Sequence, residues 1–168
     1  FEMNIEHYVV VNFHSMASIV DSLGGVDIEL ADGEYYYINY GVALGEDYEG
    51  FAKSALRRLL TEDDQNTVVH LDGLQAVSFA RIRKLDNDLR RSSRQRVLLQ
   101  TMLNKVMEGA TLSTIVSVAQ SMMGNTATNV PIMLIYQIGG ALLKADSLTL
   151  SEFSVPMEGT FKNTTEKD

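Results

Sequence analysis

Residues 5–30 read IEHYVVVNFHSMASIVDSLGGVDIEL, and the succession of patterns in them sets the fold class. Ile5 to Val11 is rich in β-branched and aromatic residues, the composition of a strand. Asn12 then stands where a helix cap belongs, ahead of Phe13, Met16, Ala17, Ile19, Val20 and Leu23, which recur at the spacing of one helical face. Gly24-Gly25 supplies the positive φ that a helix end and a tight turn prefer. Val26, Ile28 and Leu30 alternate with Asp27 and Glu29, which predicts a second strand with one face inward. Strand, helix, turn and strand in so short a span predict an α/β fold, a layered α-β-α sandwich with helices around a central sheet.

Outward from that stretch the patterning is uneven. Ala31 to Gly50, with Tyr35-Tyr36-Tyr37 amid acidic residues, reads as a variable loop or an edge strand whose aromatics pack on the body. A short helix is predicted over Phe51 to Leu60, and another beginning at Asp72 as cap, with Leu74, Val77 and Phe79 inward. The strongest helix is expected at about Asp88 to Glu108, where Leu98, Leu99, Met102, Leu103, Val106 and Met107 keep helical spacing. No charge occurs between Glu108 and Lys144, but polar residues and Pro131 interrupt the run. That predicts two buried helices, at 111–123 and 131–143, rather than a membrane span. Leu148, Leu150, Phe153 and Val155 suggest a closing strand, and residues 161–168 a frayed tail.

A chain of 168 residues with 45% hydrophobic and 21% charged content suits one folded domain, assigned to residues 1–160. A buried-strand pattern so near residue 1 suggests a piece of something longer, with any export signal upstream. The absence of Cys excludes disulfides and thiol chemistry. His7, His14 and His70 lack ligand spacing, so no zinc site is expected. The formal net charge of −8 argues against a general nucleic-acid binder.

That charge is unevenly placed. Arg81, Arg83, Lys84, Arg90, Arg91, Arg94 and Arg96 face only Asp86 and Asp88 within sixteen positions, so half of the 14 Lys and Arg lie in one segment. Such a patch in an acidic body points to one anion. Arg81 and Arg83 would form a phosphate clamp if the chain is extended there, because a guanidinium binds two oxygens at once. Arg91 and Gln95, four apart, share the helix face that continues through Leu98 and Met102, so Arg91 should look inward. Cations crowd the first turns of that helix, where the macrodipole disfavours them by about 0.3–1 kcal/mol each, and a bound anion would reverse the sign. The bland alternative is a solvated ladder with Asp86, Asp88 and Glu108. Asp86 and Asp88 suit three roles: orienting a guanidinium, binding a metal, or accepting a proton from an attacking hydroxyl.

Four blocks in order, VVVNF at 9–13, DSLGGVDI at 21–28, LDGLQAVSFARIRK at 71–84 and DNDLRRSSRQRVL at 86–98, resemble the LytR-CpsA-Psr family of bacterial envelope proteins. The resemblance implies an extracytoplasmic enzyme anchored in the cell membrane upstream of this chain. It would move a glycopolymer from a polyprenyl-pyrophosphate carrier to a peptidoglycan hydroxyl, with magnesium as cofactor. It implies that Arg81, Arg83, Arg91 and Gln95 grip the pyrophosphate, and that Asp88 acts as base or arginine orienter. Leu89-Arg90 stands where the family has Phe-Gly, adding bulk and charge at the mouth. The family's N-terminal half, with its magnesium-binding aspartates, is not in this sequence, so the fragment alone is expected to be inactive. Two other readings remain: a non-catalytic envelope module that binds polyanions or lipid pyrophosphate, and a regulator of the envelope or of transcription. The apolar helices after Gly109, with Met122, Met123 and Met133, either pack as core or line a groove for the carrier's tail.

Overall fold

The computed structural model describes residues 6–51, 53, 57–83, 85, 88–109, 113, 116, 118 and 126–142. Its elements run β1 (Val9–Val11), α1 (Phe13–Ser22), β2 (Val26–Glu29), α2 (Glu34–Tyr48), a 3-10 turn (Glu62–Asp64), β3 (Val68–Leu71), α3 (Gly73–Ala80), α4 (Asp88–Gly109), β4 (Thr126–Thr128) and α5 (Ile132–Leu142). The mixed α/β class holds. The described strands pair as two antiparallel ribbons, β1 with β4 (Val9 opposite Thr128) and β2 with β3 (Val26 opposite Leu71, Ile28 opposite Val69).

The opening stretch folds as its pattern dictates from Asn12 onward, but β1 is short and not the buried strand expected. Val9 and Val10 are exposed, because β4 is its one described strand neighbour and no described helix is packed over it. Asn12 Oδ1 accepts from the Ser15 N–H at 2.8 Å, a cap worth about 1 kcal/mol. Ala17, Ile19, Val20 and Leu23 enter the core. Gly24 and Gly25 follow at φ +78 and +84, and the Gly25 N–H closes onto the Val20 carbonyl at 2.9 Å. A side chain at Gly25 would also strike the His70 ring and the Leu71 carbonyl, so glycine is what lets the turn lie against β3. In β2, Val26 and Ile28 are buried while Asp27 and Glu29 are exposed.

Residues 34–48 overturn the loop reading. They form a helix in which Ile38 and Val42 face the core. Gly41 and Gly45 continue that face: an added Cβ would lie 2.8 Å from Ser78 Cβ and 2.9 Å from Leu74 Cδ1. The two glycines let α2 approach α3 closely, and this packing overrides the weak helix propensity of glycine and tyrosine. The helix expected over 51–60 is not found at its described positions. Residues 57–60 are instead held outside any helix, with Asn39 bonded to both the N–H and the carbonyl of Leu60 (3.1 and 2.7 Å).

Asp72 caps α3 as predicted and forms a reciprocal pair with Gln75: its Oδ1 accepts from the Gln75 N–H at 2.9 Å, and Gln75 Oε1 accepts from the Asp72 N–H at 3.1 Å. Residues 73–79 are all buried between α1, α2 and α4. Strand β3, just before it, was not foreseen. Helix α4 matches its predicted span and buries Leu98 and Met102. Helix α5 also lies where expected, but Ile132, Met133, Tyr136 and Ile138 are exposed, so it is not a buried helix among the described residues. Residues 113, 116 and 118 are helical; the rest of the predicted helix at 111–123, apart from those three, lies outside the described residues, as do the strand at 148–155 and the tail at 161–168. No described helix is long and apolar enough to cross a membrane.

Candidate anion-binding site

A cavity of about 700 Å³ opens where the start of α1, the middle of α2 and the end of α3 meet the first half of α4. Arg81, Arg83, Arg91 and Gln95 all line it. The remaining wall is largely apolar, with Phe13 and Met16 from α1, Tyr37 and Leu44 from α2, Val77 from α3 and Leu98 from α4. The volume suits a ligand rather than a few waters.

Each cation arrives by a different route. Arg81 is the C-cap of α3, with φ −96 and ψ −5, so the Arg81–Arg83 pair is not the extended clamp expected. The chain brings the two guanidinium groups to one cavity by ending a helix there. Nη1 and Nη2 of Arg81 donate to the two carboxylate oxygens of Glu49 at 2.7 and 2.8 Å, and its guanidinium carbon lies 4.0 Å above the centre of the Phe13 ring. The bonded guanidinium holds the Glu49 carboxyl below its ordinary range. Arg83 is exposed at the cavity edge. Arg91 turns inward as its register predicted: it is half-buried, and its Nε has no hydrogen-bond acceptor among the described residues. A buried guanidinium N–H without an acceptor is costly, and an anionic oxygen would satisfy it. Gln95 lies one turn further along α4 and adds a neutral side chain with donor and acceptor groups.

Arg94 has another fate. It is 6% exposed, and its Nε donates to Glu34 Oε1 at 2.5 Å. Glu34, the first residue of α2, is 4% exposed, and its other oxygen accepts from the Ala31 N–H at 2.9 Å. Asp88 opens α4, but its side chain lies outside the described residues, as do those of Asp86 and Arg90. The apolar wall comes from α1 to α4. Met133 is exposed and takes no part in it, and Met122 and Met123 lie outside the described residues.

Sequence reasoning missed Glu49, Glu34 and the role of Phe13. The first two partner arginines 32 and 60 positions away, and no local spacing announces that. Phe13 was read as core, yet it is half-exposed at the cavity wall beneath Arg81.

The class defined by this fold and cavity is an α/β domain with a cationic pole and an apolar wall. A match to the LytR_cpsA_psr family model over residues 1–167 makes the assignment specific: the chain belongs to that family. It is 24% identical to the polyisoprenyl-teichoic acid–peptidoglycan teichoic acid transferase TagV of Bacillus subtilis (strain 168), over 89% of this chain and 36% of that protein. With TagU of Bacillus mycoides (strain KBAB4), carrying the same transferase description, it shares 31% identity over 74% of the chain and 34% of the relative. The chain thus spans about a third of the length of these relatives. Its fold is similar to that of TagT bound to LI-WTA, with TM-score 0.57 and 22% identity over 84% of this chain and 46% of that one.

Proposed function

We propose that the protein containing this chain is a phosphotransferase that moves a phosphate-linked glycopolymer from a polyprenyl-pyrophosphate carrier to a peptidoglycan hydroxyl. The observation that carries the reading is the convergence of Arg81, Arg83, Arg91 and Gln95 on a single cavity whose other wall is apolar. A diphosphate joined to a prenyl chain has those two chemistries in one molecule, and the family membership and the descriptions of TagV and TagU support the choice.

In the reaction, the acceptor oxygen attacks the phosphorus next to the polymer. A new phosphodiester forms, the P–O bond toward the carrier breaks, and polyprenyl phosphate leaves. Negative charge grows on the departing phosphate, and guanidinium groups fixed beforehand stabilise it without reorganising. Arg91, at the start of α4, adds to the positive end of the helix dipole. Asp88, which precedes Arg91 by three positions, is assigned the acceptor hydroxyl's proton on the family resemblance.

Among the described residues no group of three His, Cys, Asp or Glu side chains converges and no carboxylate lines the cavity, so the magnesium that the family resemblance implies is assigned to carboxylates other than these. What these residues supply is anion binding and orientation. We further assign the protein to the cell envelope, outside the cytoplasm and attached to the membrane, with lipid-linked glycopolymer and peptidoglycan as its partners. The 168-residue piece alone is expected to be inactive.

Full-length protein given lipid-linked donor and peptidoglycan should release polyprenyl phosphate. Arg83→Ala should cut that release without changing the melting temperature. Unchanged turnover in this variant would remove the clamp from the mechanism. Tight binding of donor with no release would favour the non-catalytic module.

A further inference from the structure

Among the cavity cations, Arg81 has a carboxylate on its fork as well as an aromatic ring beneath it. Glu49 is itself firmly placed. Its N–H donates to the Gly45 carbonyl at 3.2 Å, and its own carbonyl oxygen lies 2.9 Å from His14 Nε2. The His14 ring stacks on Phe51 at 4.0 Å with planes 9° apart. Gly50 turns the chain at φ +75, and the Phe51 N–H also returns to the Gly45 carbonyl, at 3.1 Å. Segment 49–51 is therefore fastened to the start of α1 and the end of α2.

Arg81 lines the cavity and Glu49 does not. A guanidinium has five N–H donors, and two of these go to Glu49. The Nε–H and the outer hydrogens of both Nη atoms are left for an anion. A long side chain that would otherwise sample many rotamers is held in one, which is the property a charge-stabilising group needs.

We infer that Glu49 is a positioning residue for this site: it holds the Arg81 guanidinium over Phe13 in the orientation that receives a phosphate oxygen, and does not touch the ligand itself. This rests on the reading of the cavity as a diphosphate site. The opposite role, a carboxylate that competes with the ligand for Arg81, predicts an effect of opposite sign.

The test measures farnesyl pyrophosphate binding to the full-length protein by calorimetry. Glu49→Gln keeps size and one acceptor but removes the charge, and should weaken binding about tenfold. Arg81→Ala should weaken it more, and adding Glu49→Gln to Arg81→Ala should change affinity by no more than about twofold, because the two act through one group. Asp47→Asn, which removes an exposed charge two positions away that pairs with Lys53, should leave affinity unchanged. Measurements well below the lowest melting temperature keep this cycle readable even if a variant is destabilised. Additive losses, or tighter binding by Glu49→Gln, would overturn the inference while leaving the cavity assignment standing. No binding by the wild-type protein would overturn both.

Discussion

Arg91 and Arg94 sit three residues apart on one helix, carry the same charge and come from the same basic run, yet the fold uses them in opposite ways. Arg94 is sealed against Glu34 and ties α4 to the start of α2. Arg91 faces the cavity with a buried donor that no described residue accepts. Charge density therefore locates a functional segment but does not sort its members. For this pair the sorting is done by what lies opposite: a buried carboxylate closes Arg94 into the fold, and the cavity leaves Arg91 open to a ligand.

The comparison is easiest to break at its structural end. Glu34→Ala should destabilise the protein by about 3–5 kcal/mol, because it takes the carboxylate from a guanidinium in a nearly dry site, and urea unfolding would measure this. A loss below about 1 kcal/mol would mean that Arg94 escapes to water and that the two arginines differ less than described. At the binding end, Arg91→Ala should lower farnesyl pyrophosphate affinity by on the order of a hundredfold, since it removes a partly buried charge-assisted donor. Its unfolding midpoint should stay near wild type. Gln95→Ala, which removes a neutral group, should cost only about threefold to tenfold in affinity.

The smallest effect is expected at Arg58 and Asp64, an arginine–carboxylate pair like Arg94 and Glu34 except that Arg58 is exposed. Hydrogen bonds from Arg58 and the Thr61 N–H lower the Asp64 carboxyl to about 2. Because the folded value lies below the ordinary one, the stability it contributes is present above about pH 4. That stability fades as pH falls through about 2. Solvent screening keeps the pair's worth under about 1 kcal/mol. Arg58→Ala should move the Asp64 titration upward in a carboxyl NMR experiment and leave stability at pH 7 nearly unchanged.

What was legible in the sequence was local. Asn12 and Asp72 as caps, Gly24-Gly25 as a turn, and the inward register of Arg91 all depend on neighbours within about four positions. Helix α2 escaped because its inward face contains two glycines, whose only signal is the closeness of α3. The Arg81–Arg83 geometry was misjudged for a related reason. Alternation implies a shared side only in an extended chain, and α3 runs up to Arg81.

The sequence by itself determined the helix and turn punctuation and the location of the cationic segment, while the grouping of Arg81, Arg83, Arg91 and Gln95 in one candidate site was what the family resemblance implied. Caps, periodicity and charge act over a turn or two of chain, so order along the chain is enough to read them. Only the tertiary structure decided that Arg94 belongs to the fold, that Glu49 pairs with Arg81, and that the apolar wall comes from α1 to α4. Those outcomes depend on burial and on partners tens of residues away, and folding alone sets which groups share a dry space.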